Sequence, residues 1–208
     1  MEYFHKFFLL ILNEMRKLER SQEAVLDDFF ISISESLNPF WYYTKHTPNW
    51  ITLYGLITAI IALWYLSKEK LIWFSIFGLI TIYLDNQDGS FARQYDQCTV
   101  FGDRFDHIRD IFFTTGILLI SFSKWKPTLI EILPIALVGI IGLSFTGCHQ
   151  KHFQDRKHLQ HPSCQCEESL DWLTPLCYDP FEMVGVSTSF IFLLSWIFYL
   201  KFRSISLR

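Results

Sequence analysis

Four aspartates between Asp85 and Asp110 are the residues of this sequence best suited to chemistry. The stretch reads DNQDGSFARQYDQCTVFGDRFDHIRD, and its aspartates at 85, 88, 106 and 110 lie beside or between apolar runs. Charge is expensive in such surroundings, so a carboxylate cluster there needs cations to hold it together. The pattern indicates metal chemistry at a membrane.

The spacing of these aspartates is helical. Asp85 and Asp88 are related as i and i+3, and Asp106 and Asp110 as i and i+4, so each pair shares one face of a helix. Two facing helices would bring the four carboxylates together, where they repel one another. One or two divalent cations relieve the repulsion, and hard oxygen ligands favour Mg²⁺, Mn²⁺ or Ca²⁺ over zinc.

Long apolar runs separated by short polar segments predict the elements that position the aspartates. Half of the residues are hydrophobic and 18% are aromatic. The fold class that follows is all-α, a polytopic membrane helical bundle. The spans that we expect are Trp50–Ser67, Leu71–Leu84 continuing into the Asp stretch, Arg104–Ser123, Thr128–Cys148 and Phe181–Leu200.

The segment 1–38 differs from the rest, because its apolar residues fall near helical spacing among charged ones. This pattern predicts an amphipathic helix lying in the membrane interface. Asn38-Pro39 is expected to end the helix. The membrane domain then covers 39–208, and no removable signal peptide is expected.

Basic residues predict which side of the membrane the Asp stretch faces. Lysines and arginines of the N-terminal segment, the Asp stretch and the loop after the fourth span fall on one side, which is predicted to be cytoplasmic. Lys201, Arg203 and Arg208 fall on the opposite side, although lysine and arginine are usually enriched on the cytoplasmic side of a membrane protein. The net charge of −3 gives no support for a nucleic-acid partner.

The Asp stretch resembles very closely the motif of the class I CDP-alcohol phosphatidyltransferase family. The family pattern is D-x-x-D-G-x-x-A-R, about eight residues, then G-x-x-x-D-x-x-x-D, and every fixed position is present here with unaltered spacing. Members of the family typically have six spans, so five to six transmembrane helices are expected. The family also suggests a homodimer.

The resemblance implies an integral-membrane transferase of the phosphotransferase type that acts in phospholipid biosynthesis. It would move a substituted phosphoryl group from a CDP-linked donor to a small alcohol or lipid acceptor and release CMP. The donor would be CDP-diacylglycerol, or CDP-choline or CDP-ethanolamine in one branch. The implied cofactor is Mg²⁺ or Mn²⁺, as one or two ions.

The resemblance also implies roles for the aspartates. Asp85, Asp88 and Asp106 would ligate metal, and Asp110 would either ligate metal or take the proton of the acceptor hydroxyl. Nearby Asp96 and Asp103 are not required by the motif and are expected to be solvated.

Small residues in the motif would leave room for the CDP donor, namely Gly89, Ala92 and Gly102. Arg93 would pair with phosphate or brace the carboxylates.

Upstream, Pro48-Asn49-Trp50-Ile51-Thr52 is similar to a Pro-Asn-x-x-Thr sequence that family members carry near the cytidine pocket. Asn49 or Thr52 would contact the nucleotide, or the same residues simply start a helix, since Pro and Asn suit that position.

The acceptor site is weakly specified. Lys151, Arg156 and Lys157 would suit an acidic acceptor, and a solvated loop is the alternative. The polar stretch 149–180 is rich in His and Cys, so it is either a zinc site or an ordinary reduced loop. Five cysteines, an odd number, do not suggest a disulfide framework.

Two other functions compete with this one. A UbiA-like prenyltransferase also uses Asp clusters and Mg²⁺ on a helical membrane scaffold, but it does not call for the small residues at these intervals. A non-catalytic membrane protein that keeps the fold is the other alternative.

Overall fold

The computed structural model describes residues 25–156, residue 175 and residues 186–206. Within these residues the chain forms six α-helices and no strand, which confirms the all-α class. The helices are α1 (Val25–Tyr43), α2 (Pro48–Ser67), α3 (Leu71–Gln94), α4 (Val100–Trp125), α5 (Leu129–Arg156) and α6 (Val186–Ser206).

The five predicted spans overlap helices α2 to α6, and residues 181–185 of the last span lie outside the described residues. Two stretches in the described part of the chain are long and apolar enough to cross a membrane: Pro48–Ser67, with a mean hydropathy of 1.7, and Ser187–Ser206, with 1.2. Leu129–Phe145 is apolar but shorter. The charged residues of the Asp motif extend α3 and α4 beyond their apolar parts. The number of crossings therefore stays a prediction.

Helix α2 holds together the two helices that carry the aspartates, because it packs against both α3 and α4. Its buried face carries the small residues Gly55, Ala59 and Ala62, which let neighbouring helices approach closely. Below this face a shared core joins α2, α3, α4 and α6. Its largest buried members include Leu66, Phe74, Phe113, Ile117, Trp196 and Ile197.

A tight connection turns α3 back into α4 and so brings the two halves of the motif together. Asp96 takes a left-handed backbone conformation with φ of 55°, one residue after the α3 cap. Thr99 then caps α4, because its Oγ1 accepts a hydrogen bond of 3.0 Å from the Gly102 backbone N–H.

Helix α1 does not end at Asn38-Pro39, so that prediction is wrong. The helix continues to Tyr43 with Pro39 inside it. Tertiary hydrogen bonds explain the difference: the buried Asn38 amide donates to Ser90 Oγ at 3.1 Å and to Gln94 Oε1 at 2.5 Å. These bonds fix α1 against α3, so this part of α1 packs on the bundle. The segment before residue 25 lies outside the described residues.

Two of the three C-terminal basic residues on the unexpected side, Lys201 and Arg203, have structural partners, and the third, Arg208, lies outside the described residues. Arg203 Nη1 pairs with the Glu131 carboxylate, and Arg203 Nη2 donates to the Trp125 carbonyl at 2.6 Å. Lys201 donates to the Glu69 carbonyl. These cations tie α6 to its neighbours, so helix packing gives a reason for their position that does not depend on membrane orientation.

The odd number of cysteines did not suggest a disulfide framework, but the described residues do include disulfide-bonded cysteines. Cys98 and Cys148 are both disulfide-bonded. An odd number of cysteines excludes only complete pairing, so it leaves room for disulfides and a leftover thiol. The His- and Cys-rich stretch was predicted as a loop over 149–180, but its first residues, 149–156, are the last turns of α5. Apart from residue 175, the rest of the stretch lies outside the described residues, so the choice between a zinc site and an ordinary loop stays a prediction.

A close helix contact at Gly78 gives a stability prediction. A Cβ added to Gly78 would lie 2.5 Å from Cζ of the buried Phe190 ring, whereas one added to Gly139 has no described neighbour within 4 Å. We expect Gly78→Ala to lower the free energy of unfolding by about 1–3 kcal/mol through overpacking. Thermal unfolding in detergent measures this, with Gly139→Ala as the matched control. Equal unfolding temperatures for the two variants would contradict the packing described for α3 and α6.

Candidate metal centre and its flanking cavities

The structure brings the four aspartates to one place between α3 and α4. Ligand atoms of Asp85, Asp106 and Asp110 all lie within 4.8 Å of one another. Asp88 lies beside them, and one guanidinium contacts all four carboxylates. The prediction from helical spacing, that the four aspartates converge, is therefore confirmed.

That guanidinium belongs to Arg109, which sequence reasoning did not select. Its Nη2 pairs with Asp85 Oδ1 and lies 2.6 Å from Asp106 Oδ1 and 2.8 Å from Asp110 Oδ1. Its Nη1 lies 3.4 Å from Asp88 Oδ2. The side chain has no exposed surface. Arg109 thus occupies the centre of the cluster.

A sequence signal for Arg109 existed. It follows Asp106 by three positions, so it shares a helix face with that aspartate, and it directly precedes Asp110. The motif places no fixed residue there, and its fixed arginine, Arg93, is the one predicted to brace the carboxylates or pair with phosphate. In the structure, the Arg93 side chain lies over Gly89, with Nη1 3.2 Å from where a Cβ on that glycine would be.

Asp88 has a different environment from the other three aspartates. It is 5% exposed, and its Oδ2 accepts a hydrogen bond of 2.7 Å from Thr52 Oγ1 on α2. Its Oδ1 accepts from the Gly89 backbone N–H. Asp88 therefore ties the motif to α2, and it does not belong to the convergent set of three ligand atoms.

A polar cavity of about 80 Å³ opens on one side of the cluster. All but one of the residues predicted to bind the CDP donor line it, and Asp88 and Asp106 face it too. The predicted residues in its lining are Asn49, Thr52, Gly89, Ala92 and Gly102. A Cβ on Gly102 would lie 2.8 Å from Asn49 Oδ1, so the glycine keeps this cavity open.

The lining also contains Asp103, which was expected to be solvated. Its side chain is only 10% exposed, and its Oδ1 lies 3.6 Å from His107 Nδ1. Asp103 lies in the first turn of α4, next to the Thr99 cap, and there it lines the cavity. Asp96, in contrast, is exposed as predicted.

A larger apolar cavity of about 510 Å³ opens on the other side of the cluster. Asp85 and Asp110 lie at its edge, and Thr114 and Ser189 are the further polar side chains in its described lining. Apolar residues of α3, α4, α5 and α6 form the rest, among them Ile82, Phe113, Ile117, Ile135, Phe190 and Leu193. The carboxylates thus separate a polar cavity from an apolar one.

The role of the weak acceptor candidates stays a prediction. Lys151 and Arg156 belong to the last turns of α5, but their side chains lie outside the described residues, as does Lys157.

The cluster fits a hard divalent cation. Arg109 supplies one positive charge to four carboxylates, so three negative charges remain within the cluster. Asp106 Oδ1 is buried and lies at ion-pair distance from Arg109 without forming a hydrogen bond. Carboxylate oxygens with spare negative charge are the ligands that Mg²⁺ and Mn²⁺ prefer.

Comparison with known proteins finds a family match that covers the surrounding helices as well as the motif. The sequence model of the family described as CDP-alcohol phosphatidyltransferase matches residues 45–201, which is well over half of the chain. No curated protein and no solved structure matches the chain significantly. The matched residues include all four aspartates and the described lining of both cavities.

The hydrogen bond from Thr52 to Asp88 gives a prediction for the site. We expect Thr52→Val to lower the free energy of unfolding by about 1–3 kcal/mol, because a buried carboxylate loses a donor while side-chain volume is kept. Thermal unfolding in detergent with a chelator measures this. Thr52→Ser, which keeps the hydroxyl, is the matched control. If the valine and serine variants unfold together, the bond does not stabilise the cluster.

Proposed function

We propose the reaction of this chain from its family: the chain belongs to the CDP-alcohol phosphatidyltransferase family, a membrane-integral class of phosphotransferases. The chain moves a substituted phosphoryl group from CDP-diacylglycerol to an alcohol acceptor and releases CMP, as a step of phospholipid biosynthesis. The observation that carries this proposal is the carboxylate cluster placed between a polar and an apolar cavity.

The polar cavity suits the nucleotide end of the donor. Small residues at Gly89, Ala92 and Gly102 let a bulky group approach the backbone of α3 and α4. Asn49 supplies an amide that can hydrogen-bond a base or ribose. Thr52 already donates to Asp88, so its part in donor binding is to orient that carboxylate.

The apolar cavity suits the hydrocarbon part of a lipid substrate. Its described lining is apolar apart from Asp85 and Asp110 at its edge and the hydroxyls of Thr114 and Ser189, and burial of acyl methylene groups there is favourable. A lipid-linked diphosphate would then have its nucleotide in the polar cavity and its tails in the apolar one. The phosphorus to be attacked would lie next to the carboxylates.

Asp85, Asp106 and Asp110 would hold Mg²⁺ or Mn²⁺, with Asp88 beside them. When bound, the metal neutralises the diphosphate and stabilises the leaving phosphate. Asp110 is also the carboxylate best placed to accept the proton of the acceptor hydroxyl. Its side chain is 53% exposed, against 20% for Asp85 and 31% for Asp106, so an incoming alcohol can reach it.

Of the competing functions, the UbiA-like prenyltransferase is set aside, because the family match covers the cluster and its flanking helices. A non-catalytic member of the family differs from an enzyme only in turnover, so an activity measurement separates the two.

The decisive experiment follows CMP release. Protein in lipid receives Mg²⁺ or Mn²⁺, labelled CDP-diacylglycerol and a panel of alcohols, then CDP-choline and CDP-ethanolamine. We expect CMP release that Asp110→Asn lowers by about 10²–10⁴-fold, because that variant cannot take the hydroxyl proton. The control is Asp96→Asn, which changes an exposed aspartate outside the cluster. No CMP release with any donor and acceptor would refute the enzyme, and full activity of Asp110→Asn would refute the base assignment.

The membrane orientation is a separate proposal: the site faces the cytoplasm, as the distribution of basic residues predicts. One observation favours the opposite side. Cys98 lines the polar cavity and is disulfide-bonded, and disulfides persist mainly in oxidising compartments.

Labelling of Arg104→Cys with a membrane-impermeant maleimide in sealed vesicles tests the orientation. Arg104 is exposed on the first turns of α4, near the motif. We expect labelling from the cytoplasmic side, with the wild-type chain giving the background from native thiols. Labelling from the opposite side alone would place the site in the oxidising compartment.

A further inference from the structure

Arg109 stands where a cation of the cluster would be expected. The ligand atoms of Asp85, Asp106 and Asp110 converge within 4.8 Å, and Arg109 Nη2 contacts an oxygen of each of these three side chains. A single nitrogen therefore fills the point that the three carboxylates share. Its Nη1 reaches the fourth carboxylate, on Asp88.

The surrounding helices are built to hold the guanidinium there. Arg109 is fully buried, although it is a large and permanently charged side chain. Gly55 on α2 provides the space, because a Cβ at that position would lie 3.2 Å from Arg109 Nη1 and 3.4 Å from its Cδ. Four ion pairs and the close approach of Gly55 thus hold the guanidinium in place.

We propose that Arg109 is a resident cation of the carboxylate cluster that takes the place of one divalent ion. It holds Asp85, Asp106 and Asp110 together before metal binds, and it limits the site to one Mg²⁺ or Mn²⁺. The inference rests on the proposed metal-dependent transferase, and it states how many divalent ions the site of that enzyme holds. Arg109 is a positioning residue, since it acts on the reaction through the carboxylates.

The charge balance supports this limit. The carboxylates and Arg109 leave three negative charges, of which one divalent ion neutralises two. One divalent ion leaves the cluster with a net charge of −1, whereas a second ion would bring it to +1 and would be repelled by both the guanidinium and the first ion. Without Arg109, one more carboxylate charge would be left to neutralise, and the place of the guanidinium would be open to that ion.

The test counts bound Mn²⁺ per chain in purified full-length protein in detergent, from the electron paramagnetic resonance signal of free Mn²⁺ and from calorimetry. We expect wild type to bind one ion and Arg109→Met to bind one more. Arg104→Met is the matched control, because it removes an exposed arginine from the same helix, and it should bind as wild type does. Equal ion numbers for wild type and Arg109→Met overturn the proposal, as does an extra ion in Arg104→Met.

Thermal unfolding gives a second measurement on the same proteins. With a chelator present, Arg109→Met should unfold at a lower temperature than wild type, and saturating Mn²⁺ should raise its unfolding temperature by more than it raises that of wild type. An equal rise in the two proteins overturns the proposal. If Arg109→Met does not fold, Arg109→Gln replaces it, because its amide can still donate to one carboxylate without bringing a charge.

Failure of this inference can be told apart from failure of the proposed function. Wild type that binds no Mn²⁺ contradicts the metal-dependent reaction, while the difference of one ion between wild type and the Arg109 variant still decides the role of Arg109. Normal CMP release together with two bound ions in wild type overturns the inference alone.

Discussion

Mutual repulsion among four carboxylates is the constraint on which the rest of this structure depends. Asp85, Asp88, Asp106 and Asp110 lie in one place, and a buried guanidinium that contacts all of them offsets part of their charge. A buried charge without partners is very costly, so the buried guanidinium needs the carboxylates as much as the carboxylates need a cation. The helices then have to bring α3 and α4 close enough for the contacts to form.

Helix α2 meets that requirement with a face of small residues and one well-placed hydroxyl. Gly55 leaves space for the guanidinium, and Thr52 donates to Asp88. The cluster in turn divides the interior, with a polar cavity on one side and an apolar cavity on the other. This division carries the functional argument, because a lipid-linked nucleotide has one end suited to each cavity, with the phosphates between them.

Local pattern was enough to predict the helices and the convergence of the aspartates. Helical spacing places each Asp pair on one face, and the residues that separate the pairs leave room for a turn between two helices. The cavity lining of Asn49, Thr52, Gly89, Ala92 and Gly102 also agrees with what the family motif implies.

The central position of Arg109 and the length of α1 both depend on contacts between distant parts of the chain. Arg109 is central because Gly55 on another helix makes room for it. Helix α1 runs through Pro39 because Asn38 bonds to Ser90 and Gln94 on α3. Periodicity reports which face of a helix is apolar, but it cannot report which residue of another helix meets that face.

The central claim is that Arg109 and a divalent ion share the carboxylates without displacing one another. A structure of the protein with Mn²⁺, with anomalous scattering used to locate the ions, tests it most directly. The account predicts one Mn²⁺ peak against the cluster, with the Arg109 guanidinium still in contact with Asp85, Asp106 and Asp110. Two Mn²⁺ peaks between the carboxylates, with the guanidinium moved away from them, would contradict it.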